Sequence, residues 1–284
     1  MPLMNMERML KDATANGYAV GAFNIFNHLT AAAVIQAAEE NRAPVIIQVS
    51  TKTVKQMGLN DCVETVSRLA AKASVPVALH LDHCTDFMLA KSCADAGFTS
   101  IMFDGSHLPF EENIKFTADM AAYAAPLDIS VEGELGAIAG VEDDIAVADD
   151  AALLAEVETS KEFVRCTGVT AFAPAVGTAH GLYKKTPVVD FQRFADIKEV
   201  CDCPLVVHGG TGLSDETFRK LISLGASKIN ISTAIKVAYL GASEDFWKKH
   251  QDESNPFVLD NTLTQAVKET VRIHILLFGS DRKA

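Results

Sequence analysis

The run VPVALHLDHCTD, residues 75–86, begins as an apolar, β-branched strand and ends in His80, Asp82 and His83. A buried polar group left without a partner costs roughly 2–7 kcal/mol, so side chains at such a strand end need something to bind. Two further histidines stand after apolar runs, His180 in VGTAHGLY and His208 in VVHGGTG. Neutral imidazole is a good ligand for Zn2+, and three protein ligands with an open fourth position make a catalytic zinc site. One histidine at a strand end is usually a hydrogen-bonded core or loop residue. Three of the eight histidines at corresponding ends of different strands fit that bland reading less well.

Carboxylates follow the same pattern. Asp82 adjoins a candidate ligand and ends the same strand. Asp104 ends the strand before FDGSH, and Glu132 and Glu134 stand two apart in VEGELG, on one face of their strand. VHGGTGLSDE puts Gly209, Gly210, Thr211 and Gly212 between a strand and a capped helix, and NIST puts Asn230, Ile231, Ser232 and Thr233 at the matching place after the last strand. Glycine lets backbone N–H groups approach an anion, and a helix N-terminus favours it. Glycines also make tight turns, a reading that is strong for one loop and weaker for two adjacent loops. A metal that polarises a carbonyl beside a phosphate anchor suits enolate chemistry on a phosphorylated ketone.

The other histidines and cysteines carry less. His80 shares a face with Asp82 and reads as packing, with an outer partner of the site as the alternative, and His107 is a lesser candidate for the rim. His28, His250 and His274 read as structural, and Cys84, adjacent to His83, as inert.

These residues need a scaffold that gathers strand ends. Eight strand candidates lie at 19–25, 44–50, 76–82, 99–104, 128–136, 169–177, 204–210 and 227–232, with amphipathic stretches between them. Ser214 caps one of these helices and others close on Gly. Strict alternation implies βαβ units and a parallel sheet, and the near-continuous apolar strands fit burial on both faces. The expected fold is α/β, a (β/α)8 TIM barrel, whose chemistry gathers at the carboxyl ends of the strands and whose seventh and eighth loops usually cradle phosphate. An open doubly wound sheet is the rival, but no GxGxxG turn follows the first strand. Residues 137–158 read as a long acidic connection, and 256–278 as an additional C-terminal helix. One domain over residues 1–284 is expected.

Bulk properties narrow the partners. The net charge of −12 over 284 residues argues against nucleic acid. The six cysteines form no CxxC pair. The first 17 residues have no signal-peptide core, and no apolar run reaches membrane-spanning length. A reducing cytoplasm is the expected location.

The motifs LHLDH, DGSH, VEGELG, GTAHGLY, VHGGTG and KINIST together resemble the class II, zinc-dependent ketose-bisphosphate aldolases. The likeness runs from FNIFN near the start to FGS near the end, and is closer to the short tagatose-bisphosphate type. It implies that His83, His180 and His208 hold one Zn2+ per subunit, with a monovalent cation as a further candidate. It implies that Asp82 acts on the C4 hydroxyl and that Glu142, in the acidic connection, transfers a proton at the ketone's carbon. Read without the resemblance, Glu142, Asp143 and Asp144 are a solvated acidic run. Gly181, Gly209, Gly210 and Thr211, with Asn230, Ile231, Ser232 and Thr233, would bind dihydroxyacetone phosphate. Asp104 and Glu134 match residues that hold a second metal in some longer members. The expected activity is cleavage of a ketose 1-phosphate or 1,6-bisphosphate by a homodimer or homotetramer that binds neither nucleic acid nor membrane.

The chain departs from the pattern in three places. Thr211 stands where serine or alanine is commoner, and Ser232 where longer members carry an acid. Arg282 in GSDRKA is out of register with the arginine that short members place for a far phosphate. Four alternatives remain: an aldolase of the same class with another phosphorylated keto sugar, a hydrolase using zinc-bound water, a phosphosugar-binding accessory subunit without catalysis, and a Schiff-base aldolase. The last needs a lysine inside a strand, and Lys228 is the candidate.

Overall fold

Eight of the apolar runs form strands that close on one another. They are β1 (Val20–Asn24), β2 (Val45–Ser50), β3 (Val77–Cys84), β4 (Ser100–Phe103), β5 (Ser130–Leu135), β8 (Ala171–Pro174), β10 (Leu205–Val207) and β11 (Ala226–Ile231). In this computed structural model, which describes residues 3–142, 145–147, 153–181 and 187–284, they make a closed barrel in the order β1-β11-β10-β8-β5-β4-β3-β2. Every pair in the ring is parallel. The expected (β/α)8 barrel is therefore present.

Burial on both faces explains the composition. Outward residues such as Phe23, Ile47, Leu81, Phe172, Val207 and Ile229 pack into one core with the surrounding helices. Inward residues at the amino ends, Val20, Ile46, Ala78, Ala171 and Val206, form a second cluster. That cluster is completed by α1 (Met6–Asn16), which plugs the amino end of the barrel with Met6, Met9, Leu10 and Ala13. Asn5 caps this helix by accepting from the Glu7 N–H. Leu10 is fully buried, so Leu10→Ala should lower unfolding free energy by about 2–5 kcal/mol. Thermal melts check this. Unchanged metal content is expected, because the plug lies at the end of the barrel away from the strand ends that carry the histidines.

The predicted C-terminal helix is α11 (Pro256–Leu277), started by Asn255 accepting from the Phe257 N–H. It packs against α2 (His28–Asn41) and α10 (Thr233–Lys249). Beyond it the tail turns back: the backbone N–H groups of Arg282 and Ala284 donate to the carbonyls of Asn41 and Arg42. Asn41 ends α2 where the chain enters β2, at the amino end of the barrel. Within one subunit Arg282 therefore lies at the opposite end from the strand-end histidines.

The acidic connection after β5 is not a structureless loop. Its described residues include β6 (Ala139–Glu142) and β7 (Ile145–Val147), paired antiparallel, and an antiparallel bridge joins Ala137 to Leu153. β6 also pairs in parallel with β9 (Ala179–His180), matching Gly140 to His180. Gly140 has φ +106°, and a Cβ there would come 2.2 Å from the His180 carbonyl oxygen. Only glycine lets this strand approach the histidine so closely. No helix among the described residues is long and apolar enough to cross a membrane.

Candidate active site

Asp82 and His83 are neighbours in β3, and neighbours in a regular strand face opposite ways. Here the register against β4 shifts between Leu81 and Cys84, and His83 has φ +46°. This left-handed bulge lets both side chains reach the interior. A histidine held at positive φ costs of order 1–3 kcal/mol, and such strain collects at functional sites. Cys84 then turns outward into the helix-packed core, as an inert residue would.

Carboxylates fix two of the imidazoles. His83 Nδ1 donates to Asp104 Oδ2 at 2.8 Å, and Asp104 Oδ1 accepts from the Ser106 N–H at 3.0 Å and hydroxyl at 2.6 Å. His208 follows β10, and its Nε2 donates to Glu132 Oε1 at 2.7 Å. The opposite nitrogens of the two rings, His83 Nε2 and His208 Nδ1, face one another at 2.8 Å. His180 stands edge-on to His83, ring centroids 4.9 Å apart. One nitrogen from each of the three buried rings falls within 4.8 Å of the others.

The donor set fits a divalent metal. A carboxylate that takes the outer N–H of an imidazole leaves the inner nitrogen as a lone pair and strengthens it as a ligand. Two nitrogens bound to one tetrahedral zinc stand roughly 3.3 Å apart, given bonds near 2.0–2.1 Å. Burial holds His180 and His208 well below the usual histidine range, and the charge of His83 adds to the effect. Burial would lower His83 too, but the Asp104 hydrogen bond and the charges of Asp82, Glu134 and Asp104 hold it well above that range. Asp104 is pushed the other way: burial opposes ionisation, yet His83 and Ser106 keep the carboxyl far below its ordinary range. The charge pattern favours a cation, proton or metal, between the rings.

A second candidate group is His83, Asp104 and Glu134. Burial and the neighbouring carboxylates hold Glu134 well above the usual carboxylate range. Its Oε2 lies 3.9 Å from His83 Nδ1 and 3.8 Å from His208 Nδ1.

The family model for fructose-bisphosphate aldolase class-II matches residues 4–283. The chain belongs to the class II fructose-bisphosphate aldolase family. Among solved structures, the YdjI aldolase from Escherichia coli K12 is 35% identical, with 99% of each chain covered and a TM-score of 0.88. A protein from Coccidioides immitis assigned to the fructose-1,6-bisphosphate aldolases is 31% identical over 97% of this chain and 96% of its own, also at 0.88. The fructose-bisphosphate aldolase of Campylobacter jejuni, 21% identical over 100% of this chain and 97% of its own at TM-score 0.84, shares the fold.

In this aldolase Asp82 lies beside the histidines, buried and oriented by a chain of amides. Asn24 Nδ2 donates to Asp82 Oδ2 at 2.7 Å, and Gln48 Nε2 donates to Asn24 Oδ1 at 2.8 Å. Asn230 Nδ2 stands 3.4 Å from Asp82 Oδ1. Asn24 and Gln48 were not singled out from sequence, and Glu132 was named there without its partner His208. Their signal was available: each is a polar residue inside a strand otherwise buried on both faces.

The glycine-rich loop after β10 and the loop after β11 adjoin. Gly209 has φ +68°, and a Cβ there would come 2.3 Å from the Ala179 carbonyl oxygen. Thr211 Oγ1 accepts from the Ala234 N–H at 3.2 Å, tying the two loops together. Ser232 Oγ is buried with no hydrogen-bond partner among the described residues, just before α10. Thr233 begins that helix, and Gly181 follows His180 directly. The Ile231 side chain is fully buried in the outer core, so any contact it makes with an anion would come from its backbone. The Glu142 backbone ends β6, but its side chain, like Asp143 and Asp144, lies outside the described residues.

His80 is more than packing. Its Nδ1 contacts Ser100 Oγ at 2.6 Å, inside the barrel near Glu132. His107 is exposed, as are His28 and His250, while His274 bonds the Thr270 carbonyl of its own helix.

Proposed function

We propose that this aldolase catalyses zinc-dependent, reversible retro-aldol cleavage of a ketose 1-phosphate or 1,6-bisphosphate. The products would be dihydroxyacetone phosphate and an aldehyde such as glyceraldehyde 3-phosphate. The observation that carries the reading is a buried carboxylate, Asp82, held by Asn24 beside three converging imidazoles.

His83, His180 and His208 would hold the metal. When bound, a divalent ion there polarises the ketose carbonyl and stabilises the charge that develops as the bond breaks. Asp82 removes the C4 hydroxyl proton, the C4 oxygen becomes the aldehyde, and the C3–C4 electron pair passes toward the carbonyl. Glu142 returns a proton to C3 and completes dihydroxyacetone phosphate. Its 1-phosphate would lie on Gly181, Gly209, Gly210 and Thr211 and on Asn230, Ile231, Ser232 and Thr233. The Ser232 hydroxyl, without a hydrogen-bond partner among the described residues at the start of a 17-residue helix, supports an anion there.

The aldehyde half would face a cavity of about 510 Å3 lined by Asn24, Ser50, Lys52 and Lys236. Two lysines at its wall support an anionic distal group. We further infer a single domain acting in the cytoplasm as a homodimer or homotetramer. Exposed Leu240 on α10 and Phe257 and Leu276 on α11 support association.

A panel of ketose 1-phosphates and 1,6-bisphosphates, assayed with and without EDTA, tests the reading. Chelation should abolish cleavage and added Zn2+ should restore it. Full activity in EDTA together with inactivation by borohydride plus substrate would favour Schiff-base chemistry instead. Fully buried Lys228, 2.9 Å from Glu132, speaks against that route.

A further inference from the structure

The barrel lysine is the feature for which neither the metal site nor the phosphate loops account. Lys228 lies on β11 two residues before Asn230, so it shares the inward face one layer beneath the mouth. It has no exposed surface, and neither does Glu132. Its Nζ stands 2.9 Å from Glu132 Oε2, while Glu132 Oε1 accepts from His208 Nε2 at 2.7 Å. One carboxylate therefore spans an ammonium and an imidazole, each on its own oxygen.

We propose that Lys228 is a positioning residue for the metal site, acting through Glu132 on the orientation and tautomer of His208. The inference rests on the three-histidine metal reading above. A buried charge needs a partner, and Lys228 is the counter-charge that holds Glu132 in the rotamer aimed at His208. That bond keeps the imidazole proton on Nε2 and leaves Nδ1, the nitrogen 2.8 Å from His83 Nε2, as the ligand lone pair. Without the ammonium, Oε1 loses its fixed direction, and His208 is free to turn or to carry its proton on the ligand nitrogen. Lys228 touches neither substrate nor metal in this account.

The test measures metal affinity rather than turnover. Zn2+ binding is titrated against a chromophoric chelator for the unaltered protein and for Lys228→Met, Lys228→Arg and the double variant Lys228→Met with Glu132→Gln. Thermal melts in EDTA run alongside. Lys228→Met should weaken Zn2+ binding about 10–100-fold, the usual effect of losing an outer partner of a ligand, and Lys228→Arg should recover most of it. The double variant removes both buried charges, so it should melt in EDTA near the unaltered protein yet still bind Zn2+ about 10–100-fold more weakly. The visible spectrum of the Co2+-loaded double variant should also differ from that of the unaltered protein. A folded Lys228→Met that binds Zn2+ with unaltered affinity, or a double variant that does so with an unaltered spectrum, would overturn the proposal and leave the histidine site standing. An unaltered protein that binds no Zn2+ would overturn both.

Discussion

Asp82→Ala should lower kcat for aldol cleavage by about 10²–10⁴, the range for loss of a general acid–base group, while the protein keeps its full metal content. The expectation follows from geometry. Asp82 is buried beside the three histidines, yet its oxygens bond amides from Asn24 and Asn230 rather than an imidazole. Its removal leaves His83 on Asp104 and His208 on Glu132. Asn24→Ala should give a smaller loss, because it frees the carboxylate without removing it. Steady-state kinetics with metal analysis on the same samples separate the two contributions. Near-normal turnover by Asp82→Ala would take Asp82 out of the mechanism.

His180→Ala and His83→Ala should both lose tightly bound metal and with it nearly all activity, but should differ in stability. His180 sits on the two-residue strand β9 at the rim of the barrel. Burial holds its imidazole well below the usual histidine range, so its loss removes a neutral group and the melting temperature in EDTA should fall less than for His83→Ala. His83 is the buried partner of Asp104, which is held strongly ionised by it. Breaking such a pair from one side costs about 3–5 kcal/mol, because a charge is left uncompensated. His83→Ala should therefore melt markedly lower even in EDTA, and Asp104→Asn in the same background should recover part of the loss. Equal melts for the two histidine variants would contradict the buried ion pair.

Much of this was legible in the sequence because burial constrains residue type. Strands covered on both faces must be apolar throughout, so eight such runs and the polar residues ending them could be read directly. The three histidines were visible for the same reason. What the sequence hid was conformation and pairing across the barrel. Nothing in LHLDH announces that His83 adopts φ +46° and so joins Asp82 on the inside. Glu132 was noticed beside Glu134, but which of the two would meet His208 depends on the stagger of β5 against β10, which lie on either side of β8. The plug helix was missed although Met6, Met9, Leu10 and Ala13 follow helical spacing, because the opening residues were read only for targeting. The acidic run after β5 looked like loop because charge hides pairing. Its described part is held by backbone bonds that are indifferent to side chains.

The mechanism depends on a divalent ion held by three imidazoles from separate strand ends. X-ray absorption at the zinc edge of the reconstituted protein tests it most directly. One zinc per chain with three imidazole nitrogens at about 2.0–2.1 Å is expected, with loss of one imidazole contribution in His180→Ala. A spectrum with oxygen ligands alone, or one that His180→Ala leaves unchanged, would contradict it.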